Sequence, residues 1–101
     1  METVHAEQLD ALWTARGRPR VALMKVDVEG FETEVFSGAA EIIHANCPTI
    51  FFEDGSEKRP ASDFLRRRFD YCAKLVQTNR WGAWDFVAVP CLWSGARVGP
   101  C

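Results

Sequence analysis

The spacing of apolar residues changes twice between residues 21 and 54. Residues 21–28 are apolar on both faces of an extended chain, interrupted only by Lys25 and Asp27. That pattern is typical of a central strand of a parallel sheet, which helices cover on both sides. After a turn, apolar residues recur at intervals of three and four, as in an amphipathic helix. A second apolar run, residues 49–52, follows this helix. The pattern therefore predicts a strand, a helix and a second strand.

Four carboxylates follow the two predicted strands. Asp27 and Glu29 come after the first, and Glu53 and Asp54 come after the second. A strand–helix–strand connection of this length is expected to be a right-handed crossover, so the two strands run parallel and end at the same edge of the sheet. Gly30 can take the exit turn of the first strand without steric cost. Because open α/β sheets bind ligands at this edge, we predict that the four carboxylates converge on a functional rim.

The flanking segments give further elements. Leu9, Leu12 and Trp13 recur at helical spacing, and Gly17 ends that helix. Beyond the second strand, Ser62 or Asp63 is positioned to cap a short helix. The remaining predicted elements are two antiparallel strands at residues 71–77 and 85–90 and a loose tail at residues 91–101. We therefore predict one domain over residues 1–90, followed by the tail.

Bulk properties restrict the class of protein. The chain has 101 residues, 48% of them apolar, and a formal net charge of −2. This length allows one domain, and the charge gives no electrostatic case for binding nucleic acid or an anionic membrane. No apolar run approaches the roughly 18 residues of a membrane span, and no signal-peptide pattern begins the chain. The default expectation is a cytoplasmic location.

The four cysteines carry no recognisable pairing signal. Cys47, Cys72, Cys91 and Cys101 include no C-x-x-C pair and no interleaved histidines. A zinc site is therefore not predicted. Without a secretory context, a disulfide framework is not predicted either. We expect buried or incidental thiols.

The chain resembles a known family at its best-patterned segment. Residues 25–32 read Lys-Val-Asp-Val-Glu-Gly-Phe-Glu, and residues 50–53 read Ile-Phe-Phe-Glu. Together with Gly38-Ala39 between them and the pair Leu9-Asp10 before them, these residues resemble the FkbM family of methyltransferases. The resemblance is close over residues 9–53 and continues more loosely to Pro90.

The resemblance implies a Rossmann-like class I fold that uses S-adenosylmethionine, with methyl transfer to a hydroxyl oxygen of a sugar or natural product. The predicted strands would be the fourth to the seventh of that fold, the last one antiparallel. The first three strands, with their glycine-rich turn for the cofactor, have no counterpart in the sequence. The implied architecture is thus a half-sheet: a parallel strand–helix–strand unit followed by an antiparallel hairpin.

The resemblance also implies roles for individual residues. Asp27 would be the general base or would orient the acceptor, with Glu29 as its partner and Glu53 across the rim. Asp27 and Gly30 would also contact the cofactor. Two neighbouring carboxylates raise one of their pKa values towards neutrality, which suits a base.

Other interpretations of the same residues remain open. The carboxylates can simply cap the following helix, and Lys25 can form a structural ion pair with Asp27. A divalent cation held by Asp27, Glu29 and Glu53 is an alternative, although we assign no metal site. The chain could instead be a non-catalytic remnant or a half-domain that pairs with another chain, or an unrelated small α/β binding module. We expect its open sheet edge to favour self-association.

Overall fold

The computed structural model describes residues 9–26, 31–54, 60–78 and 84–94. These residues form five helices and four strands. In chain order the elements are α1 (Leu9–Ala15), β1 (Leu23–Val26), α2 (Glu32–Gly38), α3 (Ala40–Asn46), β2 (Thr49–Asp54), α4 (Pro60–Phe69), β3 (Tyr71–Thr78), β4 (Trp84–Pro90) and α5 (Cys91–Ser94). None of the described helices is long and apolar enough to cross a membrane.

The strands form one mixed sheet in the order β1-β2-β4-β3. β1 and β2 are parallel, with Leu23 opposite Thr49. β4 lies between β2 and β3 and is antiparallel to both. The structure therefore confirms a small α/β fold, with the predicted parallel strand–helix–strand unit and the predicted hairpin.

The hydrophobic core lies on one face of the sheet, under α1 to α4. On β2, Ile50 and Phe52 point into it and are at most 3% exposed. The Phe52 ring lies between two others: it stacks on Phe86 at 5.6 Å and meets the edge of Phe36 at 5.7 Å. The whole chain is only 19 Å thick along its shortest axis. That thickness corresponds to one sheet and one layer of helices, since packed layers lie about 10 Å apart.

The opposite face of the sheet is called here the open face. β1 is exposed on this face, so the expectation that helices cover β1 on both sides is wrong. Side chains along β1 alternate, so Met24 and Val26 point to the core while Leu23 and Lys25 point away. Leu23 is 59% exposed, and Phe51, on the neighbouring strand, is 39% exposed. The helices that supply buried residues to the core, α1 to α4, pack on the other face.

The helix predicted after the first strand is divided at Ala39. The Ala39 N–H bonds to the Phe36 carbonyl, which closes α2, and α3 begins at the next residue. Ala39 has no polar side chain with which to cap α3. Asp10 of α1 takes that role, since its carboxylate accepts hydrogen bonds from the backbone N–H groups of Glu41 and Ile42 at 2.9 and 3.1 Å. A carboxylate at this position also interacts favourably with the helix dipole.

The cysteine prediction was wrong. Cys72 and Cys91 form a disulfide, with a Cα–Cα distance of 4.8 Å. Cys72 lies at the start of β3 and Cys91 directly follows β4, so the hairpin brings them together. Cys47 is also disulfide-bonded. The segment predicted as a loose tail thus begins with helix α5, whose first residue is covalently tied to the sheet.

Candidate functional site

A pocket opens on the sheet at the edge where β1 and β2 end. Its volume is about 350 Å³, within the range of small-molecule sites. Eight residues line it: Lys25, Val26, Phe51, Phe52, Glu53, Val76, Asp85 and Phe86. Three of them carry charge, and the rest supply apolar walls. This combination is typical of a ligand site with a few polar groups that fix orientation.

Glu53 and Asp85 lie side by side in the pocket wall, on neighbouring strands. They are register partners on the antiparallel strands β2 and β4, so their side chains project from the same face of the sheet. Both residues are half-buried. Two carboxylates on neighbouring positions of the same face can both accept hydrogen bonds from one ligand. The pair is therefore suited to holding a hydroxylated or positively charged group.

The sequence analysis missed Asp85, because candidate site residues were sought only at the carboxyl ends of the parallel strands. β4 runs antiparallel to β2, so the beginning of β4 lies beside the end of β2. The available signal was the acidic residue at the first position of the predicted hairpin strand, residues 85–90. A residue at that position reaches the same rim as Glu53.

Lys25 and Phe51 continue the pocket towards β1. They are register partners on neighbouring parallel strands, and both are exposed. Lys25 brings a positive charge to the side of the pocket opposite Asp85. Phe51 offers an apolar surface between the charged groups, on which the non-polar face of a ligand can rest.

The prediction that four carboxylates converge on the rim is wrong for Asp54. It neighbours Glu53 in sequence, but alternation along β2 sends the two side chains to opposite faces. Asp54 is 3% exposed and accepts hydrogen bonds from the backbone N–H and the hydroxyl of Ser62 at 3.3 and 3.4 Å. Since Ser62 lies in the first turn of α4, Asp54 caps that helix and does not contribute to the pocket.

The other predicted site residues, Asp27, Glu29 and Gly30, lie outside the described residues. They follow Val26, whose position in the pocket wall is known. Their assigned roles stay predictions, and the cation held by carboxylates stays an untested alternative. Within residues 9–26, 31–54, 60–78 and 84–94, no three side chains of the metal-ligating types are grouped as a metal ion would need.

The buried phenol of Tyr71 holds the start of β3 against the segment before β2. Tyr71, the first residue of β3, is 1% exposed and donates a hydrogen bond of 2.8 Å to the carbonyl of Pro48. Burial raises the pKa of the Tyr71 phenol above its ordinary value, because the charged form would lose its hydration. This contact ties β3 to the segment that enters β2.

Comparison with known proteins identifies the family. A family model described as Methyltransferase FkbM domain matches residues 2–76. Searches of curated proteins and of solved structures found no match. The matched residues include β1, β2 and most of β3, with Lys25 and Glu53 of the pocket. Because the match spans well over half of its length, the chain belongs to the FkbM family of methyltransferases.

Proposed function

We propose that the chain is the acceptor-binding part of an S-adenosylmethionine-dependent methyltransferase, which methylates a hydroxyl oxygen of a sugar or natural product. One observation carries the proposal: a pocket with opposed carboxylates lies at the carboxyl ends of the parallel strands within a chain of this family. Ligands of open α/β sheets bind at this edge. The antiparallel β4 supports the same assignment, because the implied class I fold ends in an antiparallel strand.

The described residues do not by themselves fit S-adenosylmethionine. Nucleotide cofactors of α/β sheets are held by a glycine-rich turn at the end of a strand. The two described glycines, Gly17 and Gly38, lie after α1 and at the end of α2, and neither follows a strand. We therefore derive no step through the cofactor, and limit the mechanism to the acceptor.

In this proposal the chain orients the acceptor and receives its proton. Glu53 and Asp85 accept hydrogen bonds from acceptor hydroxyl groups, which fixes the reacting oxygen in one position. An oxygen that gains a methyl group must lose its proton, and Asp27 is the proposed base. Lys25 would offset the negative charge that gathers at the rim.

The test is a methyl-transfer assay with labelled S-adenosylmethionine and a panel of hydroxylated acceptors. Glu53→Gln should raise the KM for the acceptor about tenfold or more, since hydrogen bonds to charged groups contribute about 1.5–3 kcal/mol. Glu41→Gln is the matched control, because Glu41 is an exposed residue of α3 whose side chain lies near Arg18 at 3.9 Å. Equal KM values for the two variants would contradict the role of Glu53.

A second candidate function is a non-catalytic half-domain that acts by pairing with another chain. Among the strands that the structure describes, β1 pairs with β2 alone, and this favours the half-domain. Calorimetric titration with S-adenosylmethionine separates the two candidates. Micromolar binding by this chain supports an autonomous enzyme. Absence of binding, restored when a glycine-rich strand–turn–helix segment is added before residue 1, supports the half-domain.

A further inference from the structure

A second cavity lies between α2 and α4, on the side of the sheet that carries the core. It is an open groove of about 620 Å³, within the range of small-molecule sites. Eight described residues line it, three from α2 and five from α4: Thr33, Glu34, Ser37, Pro60, Asp63, Phe64, Arg67 and Arg68. None of these eight lines the pocket on the open face. The cavity, called here the helix groove, is therefore separate from that pocket.

Helical spacing places the lining residues together on the two walls. Thr33 and Ser37 of α2 are four residues apart, and so are Phe64 and Arg68 of α4. Residues at this spacing lie on the same face of a helix. Other residues of both helices are buried in the core, and the two helices also pack against each other. The packing thus holds the two walls of the groove in fixed positions.

The α4 wall of the helix groove has an excess of positive charge. The Arg67 Nε atom lies 3.1 Å from the Asp63 Oδ2 atom. An arginine has five N–H donors, so this carboxylate leaves donors of Arg67 for a ligand. Within the described part of the chain Arg68 forms no ion pair, and its guanidinium lies 6.0 Å from the ring centre of Phe69. Guanidinium groups bind carboxylate and phosphate oxygens through paired hydrogen bonds, so this wall suits an anionic group.

The α2 wall of the helix groove has the opposite character. Glu34 is exposed, and its carboxylate accepts a hydrogen bond from the Thr33 hydroxyl at 3.0 Å. A carboxylate can accept several hydrogen bonds, and the Ser37 hydroxyl can donate or accept one. This wall therefore suits hydroxyl groups and repels anions. A ligand that fits both walls presents an anionic group to α4 and hydroxyl groups to α2.

We propose that the helix groove binds an acidic sugar, which is a saccharide that carries a carboxylate or a phosphate group. The anionic group contacts Arg67 and Arg68, and the sugar hydroxyls donate hydrogen bonds to Glu34. The half-buried ring of Phe64 provides apolar surface for the non-polar face of the sugar. This inference goes beyond the proposed function, because the sheet separates the groove from the acceptor pocket.

The length of the helix groove favours a small molecule over a protein segment. The groove extends from Pro60 to Arg68 along α4, which is about 12 Å at 1.5 Å per residue. An extended peptide would place only about four residues in that length. A sugar can contact both walls at once without a longer surface.

NMR titration of the native chain with three sugars tests the ligand class. The probes are glucuronate, glucose 6-phosphate and uncharged glucose. At least one of the two anionic sugars should bind with a Kd of about 1 mM or lower, and glucose should bind at least tenfold more weakly. The tighter of the two anionic sugars shows whether the site takes a carboxylate or a phosphate. Equal affinity for all three sugars, or no binding, would overturn the proposal.

The same titration locates the ligand. Backbone resonances of α2 and α4 should shift as the anionic sugar is added, while those of Lys25 and Glu53 in the pocket should not. Shifts confined to the pocket residues would overturn the assignment to the helix groove.

A matched pair of substitutions on α4 tests the contact with the anionic group. Arg68→Gln removes a groove arginine, and Arg66→Gln is the control, because Arg66 pairs with Asp70 and does not line the groove. Both variants replace an exposed arginine of one helix and change the net charge equally. Arg68→Gln should raise the Kd for the anionic sugar about tenfold, and Arg66→Gln should leave it within about twofold.

Equal weakening in both variants would show attraction by net charge without a site, and would overturn the proposal. Far-UV circular dichroism checks that both variants keep the native helix content. None of these measurements uses methyl transfer or the acceptor pocket, so failure here leaves the proposed function unaffected.

Discussion

The two faces of the four-stranded sheet differ in what covers them and in how their polar groups are used. On the covered face, Asp54 caps α4 and Tyr71 bonds to Pro48, so the buried polar groups serve the fold. On the open face, Glu53 and Asp85 lie opposite each other in a pocket. Adjacent residues of one strand thus belong to different surfaces. Side chains alternate along β2, so the residues that stabilise the fold lie on one face and the residues proposed to bind a ligand lie on the other.

The largest expected difference comes from the neighbouring phenylalanines of β2. Phe52→Ala on the covered face should lower the free energy of unfolding by about 3–5 kcal/mol, because it removes a ring packed between two others. Phe51→Ala on the open face should lower it by less than about 1 kcal/mol. Denaturant unfolding of both variants measures this, and similar losses would contradict the division between the faces.

The next largest effect concerns the disulfide between β3 and α5. Cys72→Ser with Cys91→Ser should lower the free energy of unfolding by about 3 kcal/mol, given the sequence separation of 19 residues. Thermal unfolding of this variant, compared with the native chain under oxidising conditions, measures the effect. An unchanged melting temperature would show that the cross-link is not formed.

The disulfide between Cys72 and Cys91 also bears on the expected location. Paired cysteines are typical of oxidising compartments and rare in the cytosol. The cytoplasmic location therefore stays a prediction, to be tested by the thiol content of protein isolated from its source. A full complement of free thiols would agree with a reducing compartment.

A third prediction concerns how the free energy of unfolding depends on pH through Tyr71, on the covered face. The folded chain holds Tyr71 neutral, while the unfolded chain ionises it near pH 10, so alkaline pH favours unfolding. Above about pH 10 the free energy of unfolding should fall by about 1.4 kcal/mol per pH unit from this group. Tyr71 is the only tyrosine, so tyrosinate absorbance reports it alone. Absorbance that appears near pH 10 in the folded chain would contradict its burial, and Tyr71→Phe should remove this part of the slope.

A smaller effect is expected at the cap of α3. Asp10→Ala should lower the free energy of unfolding by about 1 kcal/mol, because two backbone N–H groups lose their acceptor. Asp63→Ala is the control, since that exposed carboxylate pairs with Arg67 within α4. An equal loss in both variants would show that Asp10 acts only as a surface charge.

The sequence predicted the order of elements because local periodicity determines it. The parallel pair β1 and β2, the helical segment between them and the hairpin of β3 and β4 each have their own pattern of apolar residues. The division of the helix at Ala39 was not predicted, because it depends on Asp10, which is distant in sequence. The disulfide was missed for the same reason, since only the hairpin brings Cys72 to Cys91.

The site was predicted in part. The alternation of side chains along β2 was readable from the sequence. Glu53 and Asp54 were nevertheless both assigned to the rim, because this alternation was not applied to the last residues of the strand. Asp85 was missed because the position of β4 beside β2 follows from packing and not from any local pattern. The family resemblance indicated the correct family, since its motif residues are read directly from the sequence and need no knowledge of packing.

The most direct test of the account compares Glu53→Ala with Asp54→Ala in one experiment that measures both unfolding and acceptor binding. The account predicts that Asp54→Ala lowers the free energy of unfolding by about 1–2 kcal/mol and leaves the acceptor KM within about twofold. It predicts the reverse for Glu53→Ala: near-native stability and an acceptor KM raised about tenfold or more. Loss of stability in both variants with equal KM values would contradict the separation of the two faces.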